Sequence, residues 1–345
     1  MVFSCLFVMI SVCLSVTTAA PALDTAPHCR SIGCCPGRDD ECYMPVIDPI
    51  RDAVCYCDDF CLRTEGSDCC SDFPTVCVQE QIDMGAMVSE LWLADENRID
   101  EGRYSYNVQA PKKDYRNHTD LSPSRLYTSF DEDFIFNKGT FKSFVPLCDN
   151  YEIMQGITEN NTAAEQAEVE QYLDDVMDTE IMAITTRYLK DGGYVTDLQD
   201  LREKMKTIWF TNYFAEAEND SSAFEHVFCG DIKSTLSAGG LHNWVTVYRE
   251  ESIGNLNYHG YTGQRAPLQL GIQYTWIEAI KPRTSFMFGV STEFELAIFT
   301  TAWLFNPDEV TSFSFSDGVS TFPVDVVAWT HKGSEGQIAS AYFLD

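Results

Sequence analysis

The most regular stretches of hydrophobic and polar positions lie in the middle of the chain and predict helices. From Glu165 to Met177, apolar side chains recur every three to four residues and so fall on one face of a helix. The spacing continues from Asp178 to Lys190, where Gly192-Gly193 is a helix-ending signal, and returns from Leu198 to Phe214. Residues 79–220 are therefore expected to be mostly helical.

The pattern changes at about Val245, after which short segments rich in β-branched and aromatic residues predict strands. Ser285 to Val290 and Val324 to Trp329 are two such segments. Asp317-Gly318 is typical of a hairpin turn. Helices followed by strands predict an α+β fold, with a helical part and then antiparallel β-sheets, rather than a doubly wound parallel sheet.

The cysteines set the N-terminal part of the chain apart. Ten of the 14 lie between Cys29 and Cys77, in a segment too short to build a large core without disulfide cross-links. A zinc site is disfavoured, because an oxidising compartment removes free thiols and only His28 lies nearby. The sequence alone does not give the pairing of the cysteines.

The spacing of these cysteines resembles that of a somatomedin-B-like domain, in the ten-cysteine variant found in relatives of tubulointerstitial nephritis antigen. We assign residues 27–78 to this domain; an unrelated knottin-like module is the alternative. The resemblance implies that the domain binds an extracellular protein.

The N-terminus and three short motifs predict export from the cell. Residues 1–20 contain no Asp, Glu, Lys or Arg and end in small residues, as a secretory signal peptide does. The initial apolar run is too short to favour a membrane span, and no later run of 18 residues is apolar. We therefore expect a secreted monomer without a membrane partner, N-glycosylated at the sequons of Asn117, Asn160 and Asn219.

The charge of the chain restricts where an anion could bind. With 53 acidic and 23 basic residues the net charge is −30, which argues against general nucleic-acid binding, because phosphate contacts normally use Lys and Arg. Residues 79–220 carry a net charge of −16, whereas residues 242–290 carry +1. An anion would therefore be repelled least by the second of these regions.

Two histidines and one lysine carry the candidate chemistry. His226 follows a Phe-Glu pair, His242 precedes Asn-Trp, and Lys281 precedes Pro. Histidine can serve as acid or base near neutral pH, and a fixed lysine can stabilise negative charge in a transition state. These groups suit cleavage of RNA by attack of its own 2′-OH. Taken alone, both histidines also suit a core position, because their neighbours are apolar.

The segments around these residues are similar to those of the EndoU family of poly(U)-specific endoribonucleases, distantly related to the coronaviral uridylate-specific endoribonuclease. The resemblance runs from about Ile82 to the C-terminus, and we assign residues 82–345 to such a domain. The matching segments are Glu90–Arg98, Asp149–Glu152, Phe224–Asp231, His242–Trp244, Lys281–Pro282 and Phe288–Gly289.

The resemblance implies a secreted enzyme that cleaves single-stranded RNA at uridines and leaves 2′,3′-cyclic phosphate ends. His242 would be the general base on the 2′-OH and His226 the general acid on the 5′-oxygen, although the pair is better defined than the two roles. Lys281 would stabilise the phosphorane. Ser285 matches a position that contacts uracil, and Thr330 lies near a substrate-contacting position whose register stays open.

The resemblance also includes two carboxylates, and these imply a bound metal ion. Glu225 and Asp231 match family carboxylates linked to activity and metal dependence, which implies Mn²⁺, or else Ca²⁺, and no organic cofactor. The family usually has Glu where Asp231 stands, so the reach of this carboxylate is about one methylene shorter. No compact calcium-binding loop is present in the sequence.

Other assignments compete with this one. Cys229 and His226 could form a nucleophilic pair, but a buried thiol or a disulfide with Cys148 is favoured. The alternative function is that of a non-catalytic extracellular adhesion or matrix protein that acts through its somatomedin-B-like domain. A papain-like protease is disfavoured, because the chain has no Cys-Gly-Ser-Cys-Trp segment.

Overall fold

The computed structural model describes residues 28–35, 37–48, 51–62, 68–77, 82–334 and 336–345. The predicted signal peptide lies outside the described residues. The chain divides into two compact units, one up to residue 79 and one from residue 80 to residue 345.

Disulfides take the place of a large core in the N-terminal unit. Strands β1 (Tyr43–Asp48) and β2 (Arg51–Tyr56) pair antiparallel, with the short helices α1 (His28–Ile32) and α2 (Phe73–Val76) on either side in the sequence. Besides its half-cystines, this unit buries the apolar side chain of Phe73. The disulfides are Cys29–Cys57, Cys34–Cys77, Cys35–Cys42, Cys55–Cys70 and Cys61–Cys69.

These five bonds use all ten cysteines from Cys29 to Cys77, so none of them is a thiolate that could bind zinc. The expectation of a disulfide-rich module is confirmed. Its relationship to the somatomedin-B-like family stays a prediction.

The C-terminal unit combines helices with antiparallel sheets, which confirms the α+β class. Its helices are α3 (Met84–Ala94), α4 (Glu132–Ile135), α5 (Phe141–Leu147), α6 (Ala163–Met177), α7 (Glu180–Asp191), α8 (Leu198–Phe210), α9 (Trp244–Ser252) and α10 (Thr292–Phe305).

The three helices predicted from periodicity are present, and each begins at a polar cap. Thr162 caps α6 in a reciprocal pair with Glu165, Thr179 caps α7, and Asp197 caps α8. Each capping oxygen accepts a backbone N–H that the first helical turn would otherwise leave without a partner. The apolar faces of these helices enter the core of the unit.

Two helices lie in the part of the chain where the sequence predicted strands. Helix α9 follows directly on His242 and Asn243, and α10 replaces an expected strand region. Every residue from Thr292 to Ala302 is buried, so α10 has no polar face and no amphipathic period that would distinguish it from a buried strand.

The strands form small antiparallel sheets. One pairs β3 (Tyr104–Tyr106) with β4 (Tyr127–Phe130), and another pairs β5 (Asp231–Ile232) with β6 (Ala238–Gly239). Two larger sheets each have three strands in sequence order. They comprise β7 (Leu256–Arg265), β8 (Gln269–Trp276) and β9 (Ala279–Met287), then β10 (Val310–Ser316), β11 (Thr321–Thr330) and β12 (Ile338–Phe343).

The two three-stranded sheets meet where β9 runs beside the end of β12. The Ser285 hydroxyl donates to the Phe343 carbonyl, and the Gln269 amide donates to the Leu344 carbonyl at 2.6 Å. Among the described residues, no helix is long and apolar enough to span a lipid bilayer.

Candidate active site

A short π-helical turn, Glu225–Cys229, carries the first histidine of the site. The N–H of Gly230 donates to the carbonyl of Glu225 at 2.7 Å, five residues earlier, and closes the turn. Gly230 has φ +82°, and a Cβ there would lie 2.9 Å from the Cβ of Leu241. Only glycine fits this position, so the sequence ends the turn here and starts β5 with Asp231.

The carboxylate of Asp231 holds the ring of His226. Nδ1 of His226 lies 2.8 Å from Oδ2 of Asp231, and the amide of Gln155 donates to the same oxygen at 2.8 Å. Burial by itself raises the pKa of Asp231. The charge and hydrogen bond of His226, the hydrogen bond of Gln155 and the charge of Lys281 outweigh it and hold the pKa at about 2. Asp231 is therefore ionised at neutral pH, and Nδ1 of His226 carries a proton toward it.

The second histidine, His242, is buried just before the N-terminus of α9. Nδ1 of His242 lies 3.0 Å from the Thr284 hydroxyl and 3.1 Å from the Ser285 carbonyl. The side chain of Asn243, the next residue, caps α9 by accepting from its first backbone N–H groups. Burial, then the charges of Lys281 and His226, lowers the pKa of His242 well below 6.5. The ring is therefore neutral at pH 7.

Lys281 supplies a positive charge beside both histidines. It lies on β9 opposite Tyr274, and its ammonium group forms no hydrogen bond or ion pair with any residue that the structure describes. Burial lowers the pKa of Lys281 to about 8, with Asp231 acting in the opposite direction and Lys233 in the same one. An ammonium group without a fixed partner is available to an anionic ligand.

Backbone hydrogen bonds bring the two histidines together. The N–H of Leu241 donates to the His226 carbonyl at 3.0 Å, and the N–H of His242 donates to the Val227 carbonyl at 2.7 Å. Gly239 and Gly240 precede this segment and pass so close to His226 that no side chain would fit. The Gly-Gly pair of the sequence is thus a packing requirement of the site.

Ser285 and an aromatic ring complete the site. Ser285 is 2% exposed, and its carbonyl orients His242. The ring of Tyr342 stacks on that of His242, with centroids 4.8 Å apart and planes 14° from parallel. Sequence reasoning missed Tyr342, Gln155 and Thr284. Nothing in the local pattern distinguishes Tyr342 from the other aromatic residues of the strands.

Thr330 is not among the residues that the structure brings together. Its hydroxyl accepts from the indole N–H of Trp303 at 3.1 Å, and its register partner is Ile338. Tyr342, which touches His242, is opposite Val327, three residues earlier on β11. At roughly 3.3 Å per residue, Thr330 is displaced along the strand by about 10 Å from that pair.

Glu225 and Asp231 do not fit a common metal site as they stand. Burial, then the negative charges of Glu159 and Asp231, raises the pKa of Glu225 to about 10, so its carboxyl is neutral at pH 7 and a poor ligand for a hard cation. Among the described residues, three potential metal ligands come together only at Cys29, Cys57 and Cys70, and disulfides occupy these. Dependence on Mn²⁺ or Ca²⁺ stays a prediction.

Cys229, at the end of the π-helical turn, is bonded to Cys148. The favoured expectation of a disulfide is confirmed. The thiol–imidazole pair with His226 is thereby excluded, because nucleophilic attack requires a thiolate. The disulfide joins the turn that carries His226 to the end of α5.

An α+β fold that places two differently held imidazoles beside an unpaired ammonium group defines an acid–base enzyme. A model of the family described as Endoribonuclease XendoU matches residues 83–343. Uridylate-specific endoribonuclease B of Danio rerio is 32% identical over 274 residues, which cover 75% of this chain and 95% of that protein. Poly(U)-specific endoribonuclease of Xenopus tropicalis is 34% identical over 245 residues, covering 66% and 83%.

A solved structure is similar as well. The structure of XendoU, described as a splicing independent snoRNA processing endoribonuclease, matches with a TM-score of 0.63 at 30% identity and covers 76% of this chain and 96% of that chain. The chain belongs to the endoribonuclease XendoU family and is an RNA-cleaving enzyme.

Proposed function

We propose that this protein is a secreted endoribonuclease that cleaves single-stranded RNA at uridines and leaves a 2′,3′-cyclic phosphate. The observation that carries the proposal is the meeting of His226, His242 and Lys281, with the Nε2 atom of neither ring bonded to a described residue. The steps that follow are written for the side chains of this chain alone.

In the proposed reaction, His242 is the base and His226 the acid. The neutral ring of His242 takes the 2′-OH proton at Nε2, while the 2′-oxygen forms its bond to phosphorus. The bond from phosphorus to the 5′-oxygen breaks, and Nε2 of His226 gives that oxygen a proton. The fixed carboxylate of Asp231 pairs with the imidazolium form of His226, which supports the assignment of the acid.

Lys281 stabilises the negative charge that accumulates on the phosphorane. It is well suited to this, because its ammonium group has no fixed partner among the described residues and is held in a largely desolvated site. Charge stabilisation of this kind is worth more in such a site than in water.

The proposed preference for uridine uses Ser285. Its hydroxyl proton is donated to the Phe343 carbonyl, so the oxygen offers lone pairs to a ligand. Uracil presents an N3–H donor, whereas cytosine presents an acceptor at the same position. Because its proton is already donated, the Ser285 hydroxyl can only accept from the base and therefore favours uracil. Ser285→Ala is expected to reduce discrimination between uracil and cytosine.

Secretion is proposed on the signal-like N-terminus and the disulfides, and the sequons are consistent with it. Asn117, Asn160 and Asn219 are all exposed, as a glycan attachment site must be. Secreted protein from cultured animal cells should therefore lose mass on treatment with an N-glycosidase. An unchanged mass would contradict the glycosylation.

The test of the function uses an oligonucleotide with a single uridine, incubated with the full-length protein in Mn²⁺ or in EDTA. Mass spectrometry should find a cyclic phosphate 3′ of the uridine, absent with His242→Ala and with His226→Ala. Normal cleavage by either variant would overturn the mechanism. Cleavage that persists in EDTA would contradict metal dependence.

A second role is proposed for the N-terminal unit, that of binding an extracellular protein. Tyr43 and Val54 are 43% and 38% exposed, and the strand register places them on the same face of the β1–β2 hairpin. Exposed apolar side chains on so small a unit suit a protein contact. Loss of binding to purified matrix proteins in the double variant Tyr43→Ser/Val54→Ser, with RNA cleavage unchanged, would support this role.

A further inference from the structure

Thr284, on β9 between Lys281 and Ser285, contacts His242, the proposed base, at Nδ1, the ring nitrogen that does not face the substrate in the proposed reaction. Its side chain is 2% exposed. Its hydroxyl oxygen lies 3.0 Å from Nδ1 of His242, 3.0 Å from the Leu241 carbonyl and 3.3 Å from the Gly240 carbonyl. One hydroxyl therefore contacts the imidazole and the two residues that precede it.

Two oxygen atoms at Nδ1 of His242 bias the position of the imidazole proton. The Ser285 carbonyl, 3.1 Å from Nδ1 of His242, can only accept, which favours a proton on Nδ1. The hydroxyl of Thr284 has a single proton, which goes to a backbone carbonyl, and its lone pairs then face Nδ1–H. The same arrangement leaves the lone pair of His242 on Nε2, the atom that must act as base.

The two carbonyls belong to a strained corner of the chain. Gly240 has φ +51° and Leu241 has φ +57°, so two successive residues are left-handed immediately before His242. For Leu241 this conformation is unfavourable and persists only where surrounding contacts maintain it. Thr284 is the side chain that bonds to this corner from the neighbouring strand.

We propose that Thr284 is a positioning residue for the reaction: its hydroxyl holds the left-handed corner at Gly240 and Leu241 and fixes His242 with Nε2 as the base. This inference rests on the proposed function of His242. It concerns the hydroxyl group alone, because Thr284 does not itself contact the reacting atoms.

The experiment compares Thr284→Val, which keeps the shape of the side chain and removes its hydroxyl, with Thr284→Ser, which keeps the hydroxyl. Thr284→Val should lower kcat by roughly 10- to 100-fold with KM within about twofold, because a misplaced base impairs the chemical step more than binding. Thr284→Ser should remain within about threefold of the wild type.

A second measurement does not depend on activity. In ¹⁵N-detected NMR of the unliganded full-length protein, His242 should be protonated at Nδ1 in the wild type and in Thr284→Ser. Thr284→Val should show a mixture of the two tautomers. A melting temperature for each variant identifies any that fails to fold.

The outcomes separate the two hypotheses. If wild-type protein does not cleave RNA, the proposed function fails, and the NMR comparison still tests the tautomer. If wild-type protein cleaves and Thr284→Val matches it in kcat and in tautomer, the positioning role is overturned. Equal losses in Thr284→Val and Thr284→Ser would also overturn it, because the hydroxyl would not be the cause.

Discussion

The carboxylate of the buried Asp231 pairs with the imidazole of the partly exposed His226, with Nδ1 and Oδ2 2.8 Å apart. They are five residues apart in the sequence: His226 lies within the π-helical turn, and Asp231 follows two residues after its end. The pair leaves Nε2 of His226 as the atom that faces a substrate, which is the geometry of an acid oriented by a carboxylate.

Removing the negative charge of Asp231 should therefore disable the acid. Asp231→Asn keeps the size of the side chain but no longer pairs with the imidazolium form of His226. We expect kcat to fall by about 10²-fold or more, since general acid catalysis contributes 10²–10⁴-fold. Single-turnover cleavage of the uridine oligonucleotide measures this.

Asp325→Asn is the matched control for that experiment. Asp325 pairs with Arg265 at 2.8 Å on a half-exposed surface and makes no contact with His226. Its substitution should leave kcat within about twofold. Similar losses in both variants would indicate general destabilisation instead of a role in catalysis.

At alkaline pH, the dependence of kcat/KM on pH should follow the deprotonation of Lys281. Its pKa of about 8 means that the ammonium group loses its proton as the pH rises through 8, so kcat/KM should fall there. The guanidinium group of Lys281→Arg keeps its charge up to about pH 12. The decline of kcat/KM should therefore move to higher pH, even if the variant cleaves RNA more slowly than the wild type. An unmoved decline would assign it to another group. Lys190→Arg, at an exposed position of α7, serves as the control.

Glu225 should affect stability more than catalysis at neutral pH. Its folded-state pKa of about 10 exceeds the ordinary 4.5, so its contribution to stability is complete below pH 4.5 and is lost progressively as the pH rises toward 10. The loss is at most about 1.4 kcal/mol of unfolding free energy per pH unit, and Glu225→Gln removes it. The melting temperature of the variant relative to wild type should therefore increase between pH 5 and pH 8, with cleavage largely retained.

An exposed carboxyl provides the comparison. Glu168→Gln on α6 should shift the melting temperature equally at both pH values. A loss of cleavage in Glu225→Gln as great as in Asp231→Asn would show that Glu225 acts as a carboxylate, and would contradict this account.

Gly239 should not tolerate even one methyl group. A Cβ there would lie 2.1 Å from Oδ1 of Asp231 and 3.0 Å from Cε1 of His226. Gly239→Ala is thus expected to displace the pair and reduce kcat by roughly 10²-fold. Gly102→Ala, where a Cβ meets no atom within 4 Å, is the control and should remain active. Full activity of Gly239→Ala would contradict the packing described.

Local signals in the sequence were sufficient for the N-terminal disulfide-rich module, the three amphipathic helices α6 to α8, and the family. Periodicity and capping act over a few residues, so they can be read without knowing the fold. The same reasoning failed at α10, because a helix buried on all sides carries no period.

The sequence by itself determined which residue types were available: His226, His242, Lys281 and Ser285, in motifs that point to cleavage of RNA. Only the tertiary structure decided how they are held. The contacts of Gln155 with Asp231, of Thr284 with His242 and of Tyr342 with His242 each join segments at least 42 residues apart along the chain. Such contacts leave no local pattern, because they depend on how strands and turns meet in space. The burial that raises the pKa of Glu225 to about 10, and the strand register that separates Thr330 from Tyr342, are likewise properties of the folded chain alone.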